Sequence, residues 1–177
     1  MKKLMIVALS CIIAAGAFAE GKPFQASLTP NIAIHDTETR INGVTLNIWG
    51  NNPQSAFALG LVNGSSGDSK GLQLGLANYA ENYTGVQWSL FNCAKGNFVG
   101  WQDGILNHAE NMTGLQSGIV NMAGTFKGVQ LGVVNYAKTA SSGVQIGAVN
   151  IIQSNGWFNG LPNELAKGMV IVNWRFE

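Results

Sequence analysis

The stretch GLQLGLANYA, from Gly71 to Ala80, decides how this chain must be read, because it recurs. It returns as GVQWSLFNCA from Gly85, GWQDGILNHA from Gly100, GLQSGIVNMA from Gly114, GVQLGVVNYA from Gly128 and GVQIGAVNII from Gly143. Two weaker copies precede it, AFALGLVNG from Ala56 and GVTLNIWG from Gly43. The repeated Gln falls at 73, 87, 102, 116, 130 and 145, a period alternating between 14 and 15 residues. Self-similarity at such a period means one structural rung per copy, and a single rung cannot bury its own face. Rungs must stack.

Counting from the leading Gly, positions 2 and 6 are apolar in every clear copy, and alternation over this distance predicts strand. Position 8 is always Asn: Asn78, Asn92, Asn107, Asn121, Asn135 and Asn150, with Asn63 in the weaker copy before them. Position 10 is Ala in five of the six. The polar connection then carries one more large apolar residue in most copies (Tyr83, Phe98, Met112, Phe126), enough to close a second face.

Two all-β architectures can use this unit. In a β-solenoid each copy is one coil, and equal positions stack about 4.8 Å apart. The Asn residues then form an internal ladder of amides that satisfy one another, and Gly at positions 1 and 5 allows close backbone approach. In a small up-and-down outer-membrane barrel each copy would be one antiparallel strand. A lipid-facing strand needs an apolar band about 25 Å tall, whereas positions 2 to 6 supply only about 13 Å. Antiparallel strands would also throw the Asn residues to alternate ends. A β-solenoid-like stack of 14–15-residue repeats, capped by strands at both ends, is therefore expected, with the barrel as the alternative.

The domain plan follows: residues 1–19 a signal peptide, 20–55 N-terminal cap strands and the first degenerate repeat, 56–155 the repeat array, 156–177 a C-terminal loop and closing strand. The leader is read from Lys2 and Lys3, an apolar run from Leu4 to Ala15 and the small-residue site Ala17-Phe18-Ala19. Phe24 to Trp49 reads as two strands around the polar turn Asp36-Thr37-Glu38-Thr39. At the other end Val170, Val172, Trp174 and Phe176 alternate and finish in an aromatic. That pattern suits a capping strand and equally the closing strand of a barrel, apart from Glu177 beyond the aromatic.

The repeated phrase, the opening Phe24-Gln25-Ala26-Ser27-Leu28-Thr29-Pro30 and the aromatic end together resemble the bacterial surface-repeat proteins first named in Leptospira, with GLQxGLxN units at this spacing. The resemblance covers nearly all of the chain after its leader and implies surface or outer-membrane association, with no catalytic residues to carry over. A local resemblance to curli-type repeats rests on QxGxxNxA, as in Gln73, Gly75, Asn78 and Ala80, and implies a capacity for self-association.

Composition narrows the function classes. Charged residues are only 11% of the chain. Loss of Lys2 and Lys3 with the leader leaves eight of the ten basic residues against nine acidic, a formal charge of −1. Such a balance offers no field for nucleic acid. Cys93 is the one cysteine outside the leader, so stability rests on stacking and not on disulfides. No HExxH, GxSxG or phosphate-binding glycine loop occurs.

Candidate sites must come from stacking. Position 9 brings Cys93, His108 and Met122 into successive coils, a thiolate, imidazole and thioether set that suits Cu(I); the same position is Tyr or Ile in other copies, and no metal or other cofactor is assigned. With positions 2 and 6 pointing inward, Gln73, Gln87, Gln102, Gln116, Gln130 and Gln145 would point outward as a candidate binding face. Their alternative is amide stacking between coils. The expectation is an exported, non-catalytic β-repeat protein of the outer membrane or cell surface. Its partner would be a protein or glycan at that surface, or another copy of itself.

Overall fold

The computed structural model describes residues 21–176. The expected leader, residues 1–19, lies outside them. Seven strands form one sheet in the order β2-β1-β3-β4-β5-β6-β7. They are β1 (Lys22–Thr29), β2 (Ile32–Ala33), β3 (Ile41–Asn51), β4 (Ser55–Leu74), β5 (Ala77–Trp88), β6 (Phe91–Ile152) and β7 (Gly168–Phe176). Neighbours from β1 through β3, β4 and β5 to β6 pair in parallel. β6 runs for 62 residues because the backbone stays extended around its corners, winding four copies without interruption. The molecule is a β-solenoid, and the barrel alternative is overturned by this parallel, in-register stacking.

Register follows the repeat. Asn63 pairs with Asn78, and Gln73 with Gln87; Asn78 pairs with Asn92, and Gln87 with Gln102. The glycines at position 1 explain why rungs can close so tightly. Gly71, Gly85, Gly100, Gly114 and Gly128 all have φ between 125° and 137°, a conformation that side chains oppose. A Cβ at Gly85 would overlap the carbonyl oxygen of Gly71 in the rung beneath.

The interior differs from the expected one. Positions 3, 8 and 10 face inward, with Gln73 to Gln145 and Asn63 to Asn150 buried beside Ala80, Ala94, Ala109, Ala123 and Ala137. Tyr83, Phe98, Met112 and Phe126 form a fully buried column that closes the second side. Positions 2 and 6 do not point inward: position 2 is half-buried or exposed and position 6 is exposed. The physical reason is room. A coil of 14–15 residues brings opposite strands within about 10 Å, so its inward positions take Gly and Ala where backbones approach. Larger inward side chains sit only where they satisfy or fill one another.

Both ends break the parallel run. At the N-terminal end β1 and β3 are parallel, so the segment around Asp36–Thr39 is a coil connection and not a hairpin turn; β2 alone folds back antiparallel on β1. At the C-terminal end β7 lies antiparallel on the last rung, pairing Val144 with Trp174 and Asn150 with Met169. Asn173 is buried there and donates to the carbonyls of Asn150 (3.3 Å) and Ala166 (2.8 Å). Arg175 and Glu164 form an ion pair at 2.7 Å that ties β7 to the preceding loop.

Candidate functional site

The two amide ladders are the skeleton on which any surface is displayed. Each Asn Nδ2 donates to the Oδ1 of the next rung toward the C-terminus: Asn78 to Asn92 at 3.1 Å, Asn92 to Asn107 at 2.9 Å, Asn107 to Asn121 at 2.9 Å. The series begins at Asn47 and ends at Asn150. The Gln ladder runs the other way, with Gln87 donating to Gln73 (2.8 Å) and Gln145 to Gln130 (2.7 Å). The amide dipoles of the two ladders therefore point in opposite directions along the axis. Each ladder leaves one acceptor unused at its own end, Asn47 Oδ1 and Gln145 Oε1, buried and without a partner among the described residues.

Remaining amide hydrogens satisfy the backbone from within. Gln102 and Gln116 reach across the coil to the carbonyls of His108 and Met122, both at 3.2 Å. Asn107 donates to the carbonyl of Ser117 (2.8 Å), Asn121 to that of Leu131 and Asn135 to that of Ile146 (both 2.9 Å). The Gln residues therefore do not form an exposed binding face. Burial at position 3, between inward glycines at positions 1 and 5, turns them into stacking groups.

What the coil displays instead is apolar. The chain bends at positions 5 and 6, at Gly75–Leu76 and Ser89–Leu90, and each bend presents one large aliphatic side chain. Leu28, Ile48, Leu61 and Leu76 continue into Leu90, Ile105, Ile119 and Val133, each between 44% and 57% exposed. At about 4.8 Å per rung this corner runs along the stack as far as Val133, and the last rung has Ala148 in its place. Position 4 adds Leu46, Leu59, Trp88, Leu131 and Ile146 beside it. A groove of about 490 Å³ lies between the two columns, lined by Leu74, Leu76, Trp88, Leu90 and Ile105. A second, of about 530 Å³, lies at the N-terminal end, where Ser27 and Asn47 sit among Leu28, Ile32, Leu46 and Ile48.

Polar side chains collect at the opposite side of each coil, where the register shifts between Ala80 and Tyr83. Glu81, Lys95, Glu110 and Lys138 are exposed there. Asn82 bonds Asp68 at 3.0 Å, and Asn111 bonds Asn97 at 3.2 Å. Beside the apolar corner, at position 4, the carboxylate of Asp103 accepts from the Ser117 hydroxyl.

Cys93, His108 and Met122 are half-buried in successive rungs, and the carbonyls of His108 and Met122 are held by Gln102 and Gln116. Burial pushes the Cys93 thiol up from its ordinary value, and nearby Lys95 partly offsets this. Among the described residues, no three His, Cys, Asp or Glu side chains gather where one ion could be held. The sequence contained one signal for the apolar corner: Asp103 and Ser117 at position 4 mark that parity as outward. No protein-family model, curated protein or solved structure matches this chain.

Proposed function

We propose that this protein is exported and works at the cell envelope as a non-catalytic scaffold whose binding surface is the apolar corner. The observation that carries the reading is the placement of side chains: amides, small residues and one column of large apolar groups inside, and a further row of aliphatic side chains left exposed at one corner. Solvated monomers seldom keep contiguous apolar patches above a few hundred Å², and larger ones mark interaction sites. The partner is accordingly apolar, which disfavours a glycan. The resemblance to surface-repeat proteins and the leader-like N-terminus support placement at the envelope.

Fractionation of producing cells tests this. The protein should sediment with envelope membranes, resist salt and be released by detergent. Replacing Leu76, Leu90 and Ile105 with Thr should move it to the soluble fraction. Wild-type protein found wholly in the soluble fraction, with the variant indistinguishable from it, would sink the reading.

A further inference from the structure

The occupant of the apolar corner can be named from its chemistry. We infer that the corner lies in the acyl-chain region of a lipid leaflet, laying the solenoid lengthwise on a membrane surface; this rests on the envelope reading above. Three observations carry it.

The corner's backbone is satisfied from inside. Leu76 N–H donates to the Leu61 carbonyl (3.0 Å), Leu90 N–H to Leu76 (3.1 Å) and Leu106 N–H to Leu90 (3.0 Å). The position-4 carbonyls of Ser117, Leu131 and Ile146 are taken by ladder amides. Backbone entering hydrocarbon must have its polar groups bonded internally. A corner meeting only water or a polar partner has no such requirement.

Tryptophans flank the corner with their polar ends tied back. Trp49 at position 7 donates to the Tyr79 hydroxyl at 3.1 Å, and Trp101 at position 2 donates to Ser117 Oγ at 2.8 Å. An apolar ring with a satisfied N–H suits the boundary between acyl chains and headgroups. Apart from Asp103, the charged side chains Glu81, Lys95, Glu110 and Lys138 sit on the far side of the coil, so neutral lipid suffices.

The relief of the corner fits a fluid better than a second copy. Along position 4, exposed Trp88 stands next to the half-buried Asp103 and Ser117, with Leu131 beyond them. A rigid partner would need a matching profile to exclude water there. Acyl chains conform to such a surface, and the 490 Å³ groove beside Trp88 accepts one.

The test is flotation of the purified protein with phosphatidylcholine vesicles at low and high salt, together with quenching of tryptophan emission by brominated phosphatidylcholine. The protein should float at both salt concentrations, with a blue shift and loss of emission. Leu76→Thr/Leu90→Thr/Ile105→Thr should abolish flotation while leaving the circular dichroism unchanged. Should that variant misfold, wild-type quenching alone decides. Protein that stays unquenched at the bottom of the gradient and sediments as a dimer, which the variant turns monomeric, would overturn the lipid assignment and leave the scaffold reading standing. A wild-type monomer that ignores lipid, in cells whose envelope fraction is unchanged by the variant, would overturn both.

Discussion

Asn107 receives a hydrogen bond from Asn92 and gives two, to Asn121 and to the Ser117 carbonyl. Asn107→Leu fills a similar volume but orphans groups on three neighbours, at roughly 1–3 kcal/mol for each group left unbonded in the interior. Chemical denaturation should register that loss as a lower midpoint; an unchanged midpoint would mean the amides do not depend on one another. Tyr83 makes the opposite case. Its ring stacks on Phe98 at 6.1 Å in the buried column, yet its hydroxyl has no partner among the described residues. Tyr83→Phe should therefore hold or raise stability. Burial also pushes the Tyr83 phenol well above its ordinary value, so the unfolded chain loses that proton first, near about pH 10. Its contribution is fully present below that pH and declines as pH rises toward the folded-state value. Cys93, shifted in the same direction, acts likewise from about pH 8.5. The urea midpoint should fall less between neutral and alkaline pH in Tyr83→Phe than in the wild type.

One rung is too small to hold a core, so each element is stable only between two others. That makes the terminal strands decisive. β7 covers the edge of the rung from Ser142 to Ile151, and its antiparallel direction refuses the parallel continuation that another chain could supply. β2 does the same for β1, aided by Pro23, which removes one donor from the edge. Deleting Met169 to Glu177 should uncover a parallel edge and turn dispersed protein into oligomers or fibres, read by light scattering. A truncated chain that stays folded and monomeric would show that the last rung protects itself. Ile171 offers a milder test of the same element: it has φ 68° while its side chain is largely exposed. Ile171→Gly should relieve about 1–2 kcal/mol of left-handed strain and raise the thermal midpoint.

At the scale of the molecule the stack is a one-dimensional array, and its length is adjustable in whole rungs. Removing residues 114–127 joins Thr113 to Gly128 and restores Gln102 above Gln130 and Asn107 above Asn135. Such a chain should fold cooperatively with a lower midpoint and a corner shorter by Ile119. Removing 114–120 instead shifts every later amide out of its column and should abolish the strand signal in circular dichroism. If both deletions behave alike, register is not what holds the rungs together. The same array logic accounts for the surface: because each rung repeats its neighbour, a modest apolar exposure at one corner accumulates into a continuous face.

The period of 14–15 residues, the invariant Asn at position 8 and the strand alternation were enough to reach a stacked coil, because in-register stacking is what makes one residue type useful at one position everywhere. The buried column from Tyr83 to Phe126 was legible for the same reason. Alternation, however, fixes parity and not direction: positions 2, 4 and 6 share a face whichever way that face points. Apolar side chains at 2 and 6 suggested inward. Only the closed coil, too narrow for Trp88 or Trp101 but lined by Gly85, Gly100 and Ala94, turned that face outward and buried Gln87 and Gln102 in its place. Asp103 was the trace of that outcome in the sequence. The opposed directions of the two ladders and the satisfied backbone of the apolar corner came from tertiary structure alone, since both depend on which rung lies above which amide.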